Sequence, residues 1–311
     1  MIEDNEIKAQ VSPFAIREGE IKTFDGKDGY VSMNQIVHKI NIGHINEIHF
    51  AILELVNEFE FITSRQLYQM LEIKGHDPKS QDKLNNKLEQ LVKSKILTRY
   101  YFTSDEGKGI YRIYCLEKMG KYLLTSKEIE CKWQPSDNTK PVPMIKKRLA
   151  GNQTLIAYLR KVKAFDNYTV KPAITAKAAG KVFKATGGSV KLTKNTKSIQ
   201  FIFEVIRRES DWQKKCVEKM RLYQDFYQNF VQGDSGFTGM PQLILICEDE
   251  RNMAETFKEI VKNQVEIPQI KLYFTTDLRQ NEETLENTLV EFKLVDGKYK
   301  MENVELKLLG M

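Results

Sequence analysis

Residues 80–114 read SQDKLNNKLEQLVKSKILTRYYFTSDEGKGIYRIY, and this stretch decides the fold of the first half of the chain. Ser80 is a residue type that caps helix N-termini, and the apolar positions from Leu84 onward recur at spacings of three and four. Two runs rich in aromatic and β-branched residues follow at 98–102 and 110–114, separated by a polar tip. The stretch therefore predicts an amphipathic helix followed by a β-hairpin.

Two more helices are predicted immediately upstream of this stretch. Apolar residues between Ile45 and Phe59 recur at helical spacing, and a shorter helix that starts near Thr63 stops at Gly75. Three helices and a hairpin in this order resemble a winged helix-turn-helix DNA-binding domain, which we assign to residues 45–132. The resemblance implies that the third helix enters the major groove and that the hairpin touches the backbone or the minor groove.

The exposed face of the third helix carries amides and lysines, which suit base and phosphate contacts respectively. Asn and Gln can pair with adenine through two hydrogen bonds, and Lys reaches guanine or phosphate. The candidate readers are Gln81, Asn85 and Asn86, and the candidate anchors are Lys79, Lys83, Lys87 and Lys108. Residues 45–125 balance 12 basic against 11 acidic residues, so a merely solvated face or a protein-contact module stays open as an alternative.

Positive charge is concentrated in the middle of the chain. Residues 133–231 contain 20 Lys and Arg but 7 Asp and Glu, whereas the whole chain has a net charge of +6. The positive electrostatic potential of such a segment attracts phosphate backbones but discriminates little between DNA sequences. A basic helix is predicted over 144–165, and its candidate phosphate contacts are Lys146, Lys147, Arg148, Arg160 and Lys161. We expect this segment to clamp duplex DNA beside the site that the winged helix selects.

Turn residues and apolar runs indicate the remaining organisation. Prolines and polar residues at 133–143 predict a linker, so that residues 144–311 form a second domain and residues 1–44 an arm or a hairpin. In the second domain, predicted strands and helices alternate, and an Asp296-Gly297 turn joins the last two strands. The predicted fold class is therefore α/β, or α+β overall, with a mixed sheet.

The second domain resembles a restriction-endonuclease-like core. In active members, one strand supplies an acid and the next an acid-x-Lys motif, which together hold a divalent metal and orient water. Glu204 stands at the second acid, but Ile206 stands at the lysine position and residues 167–203 contain no Asp or Glu. Lys214, Lys215 and Lys219 on the next helix are candidate substitutes for the lysine, and Asp166 is the nearest upstream acid. We therefore predict a scaffold without catalysis, metal or other cofactor, with Glu204 and Lys219 as weak catalytic candidates.

The segment from Phe203 to Arg208, followed by a helix that carries Lys219-x-x-x-Tyr223, is similar to replication-relaxation proteins of plasmids and integrative elements. The resemblance covers most of residues 45–275. It implies a role in the replication or transfer of a mobile DNA element, in which the protein marks a site for other replication or transfer proteins.

Other classes of protein find little support in the sequence. The acidic start Met1-Ile2-Glu3 is unlike a secretory signal, and the apolar run 243–247 is too short for a bilayer, so we expect a cytoplasmic protein without a membrane partner. The main hypothesis is a non-enzymatic protein that binds double-stranded DNA. A metal-dependent endonuclease that uses Glu204, and a transcriptional regulator or protein-interaction module, are the alternatives. Whether two copies form a homodimer stays open.

Overall fold

The computed structural model describes residues 12–105, 107–194, 197–281, 284–295 and 298–306, with the backbone alone for 107–110. The chain divides into two compact units. The first unit comprises residues 16–160, and the second comprises residues 161–311 together with those before 16. Among the described residues, no helix has both the length and the apolar composition needed to cross a bilayer.

The first unit is a winged helix with added elements at both ends. Its helices are α1 (Met33–Asn41), α2 (Glu47–Phe59), α3 (Ser64–Ile73), α4 (Gln81–Lys93), α5 (Lys118–Ser126) and α6 (Val142–Lys161). Its strands are β1 (Ile21–Phe24), β2 (Ile62–Thr63), β3 (Leu97–Ser104) and β4 (Gly107–Leu116). These strands form one antiparallel sheet in the order β1-β3-β4-β2. The three predicted helices and the hairpin are confirmed as α2, α3, α4 and the β3–β4 wing.

Local sequence signals fix the ends of the helices that form the helix-turn-helix. Thr63 and Gln66 form a reciprocal capping box at α3, with N–H···O distances of 3.1 and 3.2 Å. Ser80 Oγ accepts from the Lys83 backbone N–H at 3.2 Å and so caps α4. Leu84 and Leu88 on α4 are fully buried, so one face of α4 is anchored in the core of the first unit.

Residues upstream of the winged helix join it instead of forming a separate hairpin. β1 pairs with β3, with Phe24 opposite Tyr100, and extends the sheet of the wing by one strand. α1 follows, capped by Ser32. The arm or hairpin expected over residues 1–44 is therefore, from residue 16 onward, a strand and a helix of the first unit; residues 1–11 lie outside the described part of the chain.

The segment predicted as a linker is also packed onto the first unit. A 3-10 helix spans Pro135–Thr139, and within it Asn138 is buried. The Asn138 amide donates to the Leu116 carbonyl at 2.8 Å and accepts from the Trp133 indole N–H at 3.1 Å. Buried amides of this kind need partners, which the winged helix supplies. Pro135 thus begins a 3-10 helix and Pro143 lies in the first turn of α6. The boundary between the units falls at the end of α6, between Arg160 and Lys161.

The second unit is built on a seven-stranded mixed sheet in the order β13-β12-β11-β10-β9-β8-β5. Its large-sheet strands are β5 (Phe165–Thr169), β8 (Gly188–Lys194), β9 (Lys197–Val205), β10 (Gln242–Cys247), β11 (Leu272–Thr276), β12 (Leu289–Val295) and β13 (Lys298–Val304). A separate hairpin consists of β6 (Ala173–Ala176) and β7 (Lys181–Lys184), and the helices are α7 (Trp212–Gln228) and α8 (Glu250–Lys262). The turn predicted at Asp296-Gly297 lies outside the described residues, between β12 and β13.

The strand directions match a restriction-endonuclease-like core. β5, β8 and β9 are antiparallel neighbours, and α7 then carries the chain across to β10, which lies parallel to β9. The α/β fold class with a mixed sheet is therefore confirmed. Ile202, Ile206 and Leu245 pack with Met220 of α7 in one apolar cluster. Because side chains alternate along a strand, Glu204 points toward the same helix-covered face as Ile202 and Ile206.

Candidate functional site

The predicted reading residues of α4 differ in their exposure to solvent. Lys83, Asn85 and Asn86 are exposed, while Gln81 and Lys87 are half-buried. The Gln81 amide donates to Asn85 Oδ1 at 3.2 Å, one turn further along the helix. Lys83, Asn85 and Asn86 of α4 are therefore accessible to solvent, and Asn86 and Lys83, three residues apart, share one side of the helix.

Two predicted anchors near α4 are placed differently. Lys79 is exposed, but its ammonium lies 2.5 Å from Asp77, and Lys79 holds a positive φ of 67° in the turn before the helix. Its charge is therefore partly compensated within the turn. Lys108 lies in β4, and its side chain is outside the described part of the chain.

Acids and bases at the base of the wing pair with each other. Arg99 of β3 contacts Glu89 of α4 at 2.6 Å and Asp25 at 2.9 Å, and Arg112 reaches the same Asp25 carboxylate at 2.9 Å. The hydrogen bond and charge of Arg99 hold the pKa of Glu89 below its ordinary value. Arg99 therefore links the wing to α4 and to the loop after β1, and Arg112 gives a second link from the wing to the same loop.

Two of the cations predicted to clamp DNA from α6 form ion pairs within the first unit. Lys146 is 2% exposed, and its ammonium lies 2.5 Å from Glu20 and 5.2 Å from the centre of the Phe102 ring. Arg148 lies 3.7 Å from Glu60, with its side chain 11% exposed. Neither side chain forms part of an exposed basic surface. The sequence prediction is corrected here because both cations compensate acids that lie far away along the chain.

The remaining predicted cations of α6 do not form a cluster. Lys147 is half-buried and Arg160 is exposed. Lys161 belongs to the second unit, where its ammonium donates to the Gln280 carbonyl at 2.9 Å. The basic residues expected along this helix therefore have different environments. Lys146 and Arg148 form ion pairs, Lys161 donates to a carbonyl, and Arg160 is exposed.

Glu204 is the centre of a polar cluster in the second unit. It is 3% exposed, and its Oε1 accepts from the Thr186 hydroxyl at 2.8 Å while its Oε2 accepts from the Tyr223 hydroxyl at 2.8 Å. Lys219 Nζ lies 3.7 Å from the same Oε2 and donates to the Lys184 carbonyl at 2.6 Å. Burial, and then the charge of Glu204, raise the pKa of Tyr223 well above its ordinary value, so the phenol stays protonated and donates.

Lys219 lies near Glu204. The described residues include no group of three or more His, Cys, Asp or Glu side chains placed to hold a metal ion. Asp166 bonds to Thr193 on β8, and Thr193 is opposite Ser198 on β9. Ser198 is six residues from Glu204, a distance of about 20 Å along a strand. Ile206, at the expected lysine position, is part of the apolar cluster against α7.

Thr186 occupies the position beside Glu204, and sequence reasoning did not identify it. The antiparallel register places Gly188 opposite Phe203, and Gly187 donates its N–H to the Phe203 carbonyl at 2.9 Å. A Cβ at Gly187 would lie 2.8 Å from that carbonyl oxygen, so a side chain there would clash with backbone. This close approach lets Thr186 form a hydrogen bond with Glu204. The Gly187-Gly188 pair is the feature of the sequence from which the close approach could have been predicted.

The fold and these clusters define a class of protein: a winged helix followed in the chain by an α/β unit with restriction-endonuclease-like strand order. The model of the replication-relaxation family matches residues 53–239, more than half of the chain, and the protein belongs to this family. This membership suggests a role in the replication of a mobile element. No curated protein matches the chain significantly.

Proposed function

We propose that this protein binds double-stranded DNA and marks a replication or transfer origin of a mobile element without cleaving it. One observation carries the proposal: the helix at the recognition position of a winged helix exposes Lys83, Asn85 and Asn86 to solvent, while its leucines Leu84, Leu88 and Leu91 are buried in the core. Family membership gives the setting of the proposal, since it suggests a role in replication.

In the proposed complex, α4 lies in the major groove and the β3–β4 wing approaches the adjacent backbone. The amides of Asn85 and Asn86 read adenine edges, whereas Lys83 and Lys87 anchor the helix on phosphates. Base contacts then give the choice of site, and phosphate contacts give most of the affinity. Replication or transfer proteins would be recruited to the marked site.

The environment of Glu204 supports the absence of cleavage in this proposal. Both oxygens of its carboxylate already accept hydrogen bonds from Thr186 and Tyr223, and it is almost fully buried. A magnesium ion bound by protein carboxylates usually needs one or two of them together with open positions for water and phosphate. The cluster is better suited to holding β9, α7 and the Thr186 segment together.

Selection of bound fragments from a plasmid or genome library, followed by mobility shifts on the selected duplex, tests the proposal. Wild-type protein should enrich a defined site. If about six lysines and arginines contact phosphates, the affinity should fall about a thousandfold between roughly 50 and 200 mM salt. Failure to retain any duplex at low salt would contradict DNA binding and favour a protein-interaction module.

A metal-dependent endonuclease is the second candidate, because Lys219 lies 3.7 Å from Glu204 in place of the missing lysine. Incubation of supercoiled plasmid with magnesium or manganese decides between the two. Our proposal expects intact plasmid for wild-type protein and for Glu204→Ala alike. Nicking by the wild-type protein that is lost in Glu204→Ala would establish the endonuclease.

A further inference from the structure

The last strand of the second unit, β13, lies at the edge of the seven-stranded sheet. Its one neighbour among the described strands is β12, with which it pairs from Lys298 to Val304. Backbone groups of alternate residues in an antiparallel strand face opposite sides, so about half of the N–H and C=O groups of β13 face away from β12. An edge strand of this kind is a template for pairing with a further strand.

Apolar side chains border this edge on the face that α8 covers. Phe292 stacks on Phe257 of α8 with 4.2 Å between ring centres, and Tyr299 contacts the same Phe257 ring at 4.9 Å. Met301 is opposite Phe292 in the register and therefore shares this face. Tyr299 and Met301 are nevertheless 51% and 41% exposed. The edge of the sheet thus combines unpaired backbone groups with exposed apolar side chains.

The other face of the β12–β13 hairpin carries charged side chains. Like charges stand directly opposite each other, Lys293 across from Lys300 and Glu291 across from Glu302. Lys293 lies 2.7 Å from Glu291 and 2.8 Å from Glu302, and so compensates both acids. Lys300 has no carboxylate within ion-pair distance among the residues that the structure describes. Since like charges directly opposite each other destabilise a sheet, an acid on the far side of β13 would be favourable beside Lys300.

We propose that β13 pairs antiparallel with β13 of a second copy of this chain, so that the sheets of the two copies become continuous across a two-fold axis. The charge pattern of β13 selects the register of this pairing. With Met301, the middle residue of the strand, on the axis, Lys300 of each copy stands opposite Glu302 of the other. Met301 then contacts its own counterpart on the apolar face.

Other registers place like charges together. Opposite residues of an antiparallel pair lie on the same face, so a two-fold axis between identical strands passes through a residue. An axis at Lys300 or at Glu302 puts that side chain opposite its own counterpart, and an axis at Tyr299 puts Lys298 opposite Lys300. The axis at Met301 instead gives opposite charges at both flanking positions and pairs all residues of the strand.

This inference goes beyond the proposed function and does not depend on DNA binding. Pairing of two edge strands buries less surface than a standard stable interface, so we expect a reversible dimer with a dissociation constant in the micromolar range. Because each copy uses the same edge, the contact is closed and does not propagate to larger assemblies.

Sedimentation velocity of the full chain without DNA, from about 1 to 100 μM, measures the dissociation constant of the dimer. The wild-type protein should pass from monomer to dimer in this range, without larger species. Lys300→Glu should raise the constant at least about tenfold, because both flanking pairs become acid against acid. Within one chain the introduced carboxylate faces Lys293, so the fold itself should not be weakened. Thermal unfolding of the variant verifies this.

Two further variants separate the proposed register from a general effect of charge. Lys300→Glu/Glu302→Lys exchanges the two charges within each copy, which restores opposite charges across the axis, and should return the dissociation constant to within about threefold of the wild-type value. Lys298→Glu is the matched control. It changes the net charge of the same strand by the same amount but stands opposite Val304 of the other copy, so it should shift the constant by less than about threefold.

Each result decides the inference. A wild-type protein that stays monomeric at about 100 μM, or that forms larger assemblies, overturns it. An unchanged dissociation constant in Lys300→Glu, or no recovery in the double variant, also overturns it. An equal loss in Lys298→Glu does the same, since the effect then reflects net charge. None of these results bears on the proposed function, whereas a wild-type dimer that retains no duplex DNA would overturn that function and leave this inference standing.

Discussion

Tyr223 donates its hydroxyl to Glu204 Oε2 at 2.8 Å, across the interface between α7 and β9. Thr186 donates to the other oxygen at 2.8 Å and accepts from the Val205 N–H at 2.8 Å, so the buried carboxylate joins three segments. A charged group taken out of water is tolerated when its lone pairs are satisfied in this way. Glu204 therefore has a structural task that is independent of any metal.

Replacement of Tyr223 by Phe should destabilise the protein by about 1–3 kcal/mol, because a buried carboxylate oxygen loses a donor. Urea unfolding measures the difference. Tyr227→Phe is the matched control: its hydroxyl is buried on the same helix and has no hydrogen-bond partner among the described residues, so its removal should be near neutral or stabilising. Equal losses in the two variants would contradict the structural role of the bond to Glu204.

The sequence was sufficient to predict those helices and strands that local residue patterns determine. The capping signals at Thr63 and Ser80 and the apolar spacing of α4 placed the helix-turn-helix, and Glu204 was located on its strand. Contacts between residues that lie far apart in the chain could not be predicted from the sequence. Nothing in the composition of the chain pairs Lys146 with Glu20, because that pair depends on tertiary packing. The basic run of α6 therefore suggested a DNA clamp where the structure has a buried ion pair.

Replacement of Lys146 by Ala should cost about 3–5 kcal/mol of stability, because it leaves Glu20 buried without a counter-charge. Urea or thermal unfolding of the full chain checks this value. The double variant Glu20→Gln/Lys146→Met removes both charges and should lose much less than Lys146→Ala alone. The double variant should also bind duplex DNA with the wild-type salt slope. A large reduction of that slope would restore Lys146 as a phosphate contact.

Asn86→Ala should reduce discrimination at one base pair of the selected site by about 1–3 kcal/mol, because an amide that reads a base edge is lost. Competition binding with a set of single-base-pair variants of that site measures the effect. Lys83→Ala, three residues earlier on the exposed face, should instead weaken every duplex and lower the salt slope by about one. Identical behaviour of the two variants would show that α4 contacts the backbone alone.

The pKa of Lys171, lowered to about 8 by burial and by Lys184, predicts a rise in stability at alkaline pH. Below pH 8, folded and unfolded chains both carry the charge, and the full burial cost is present. Between about pH 8 and 10.5 the folded chain binds fewer protons, so its free energy of unfolding should increase relative to Lys171→Arg. Solvent screening limits the gain to about 1 kcal/mol. Urea unfolding of both proteins from pH 7 to 10.5 checks this, and a constant difference would contradict it.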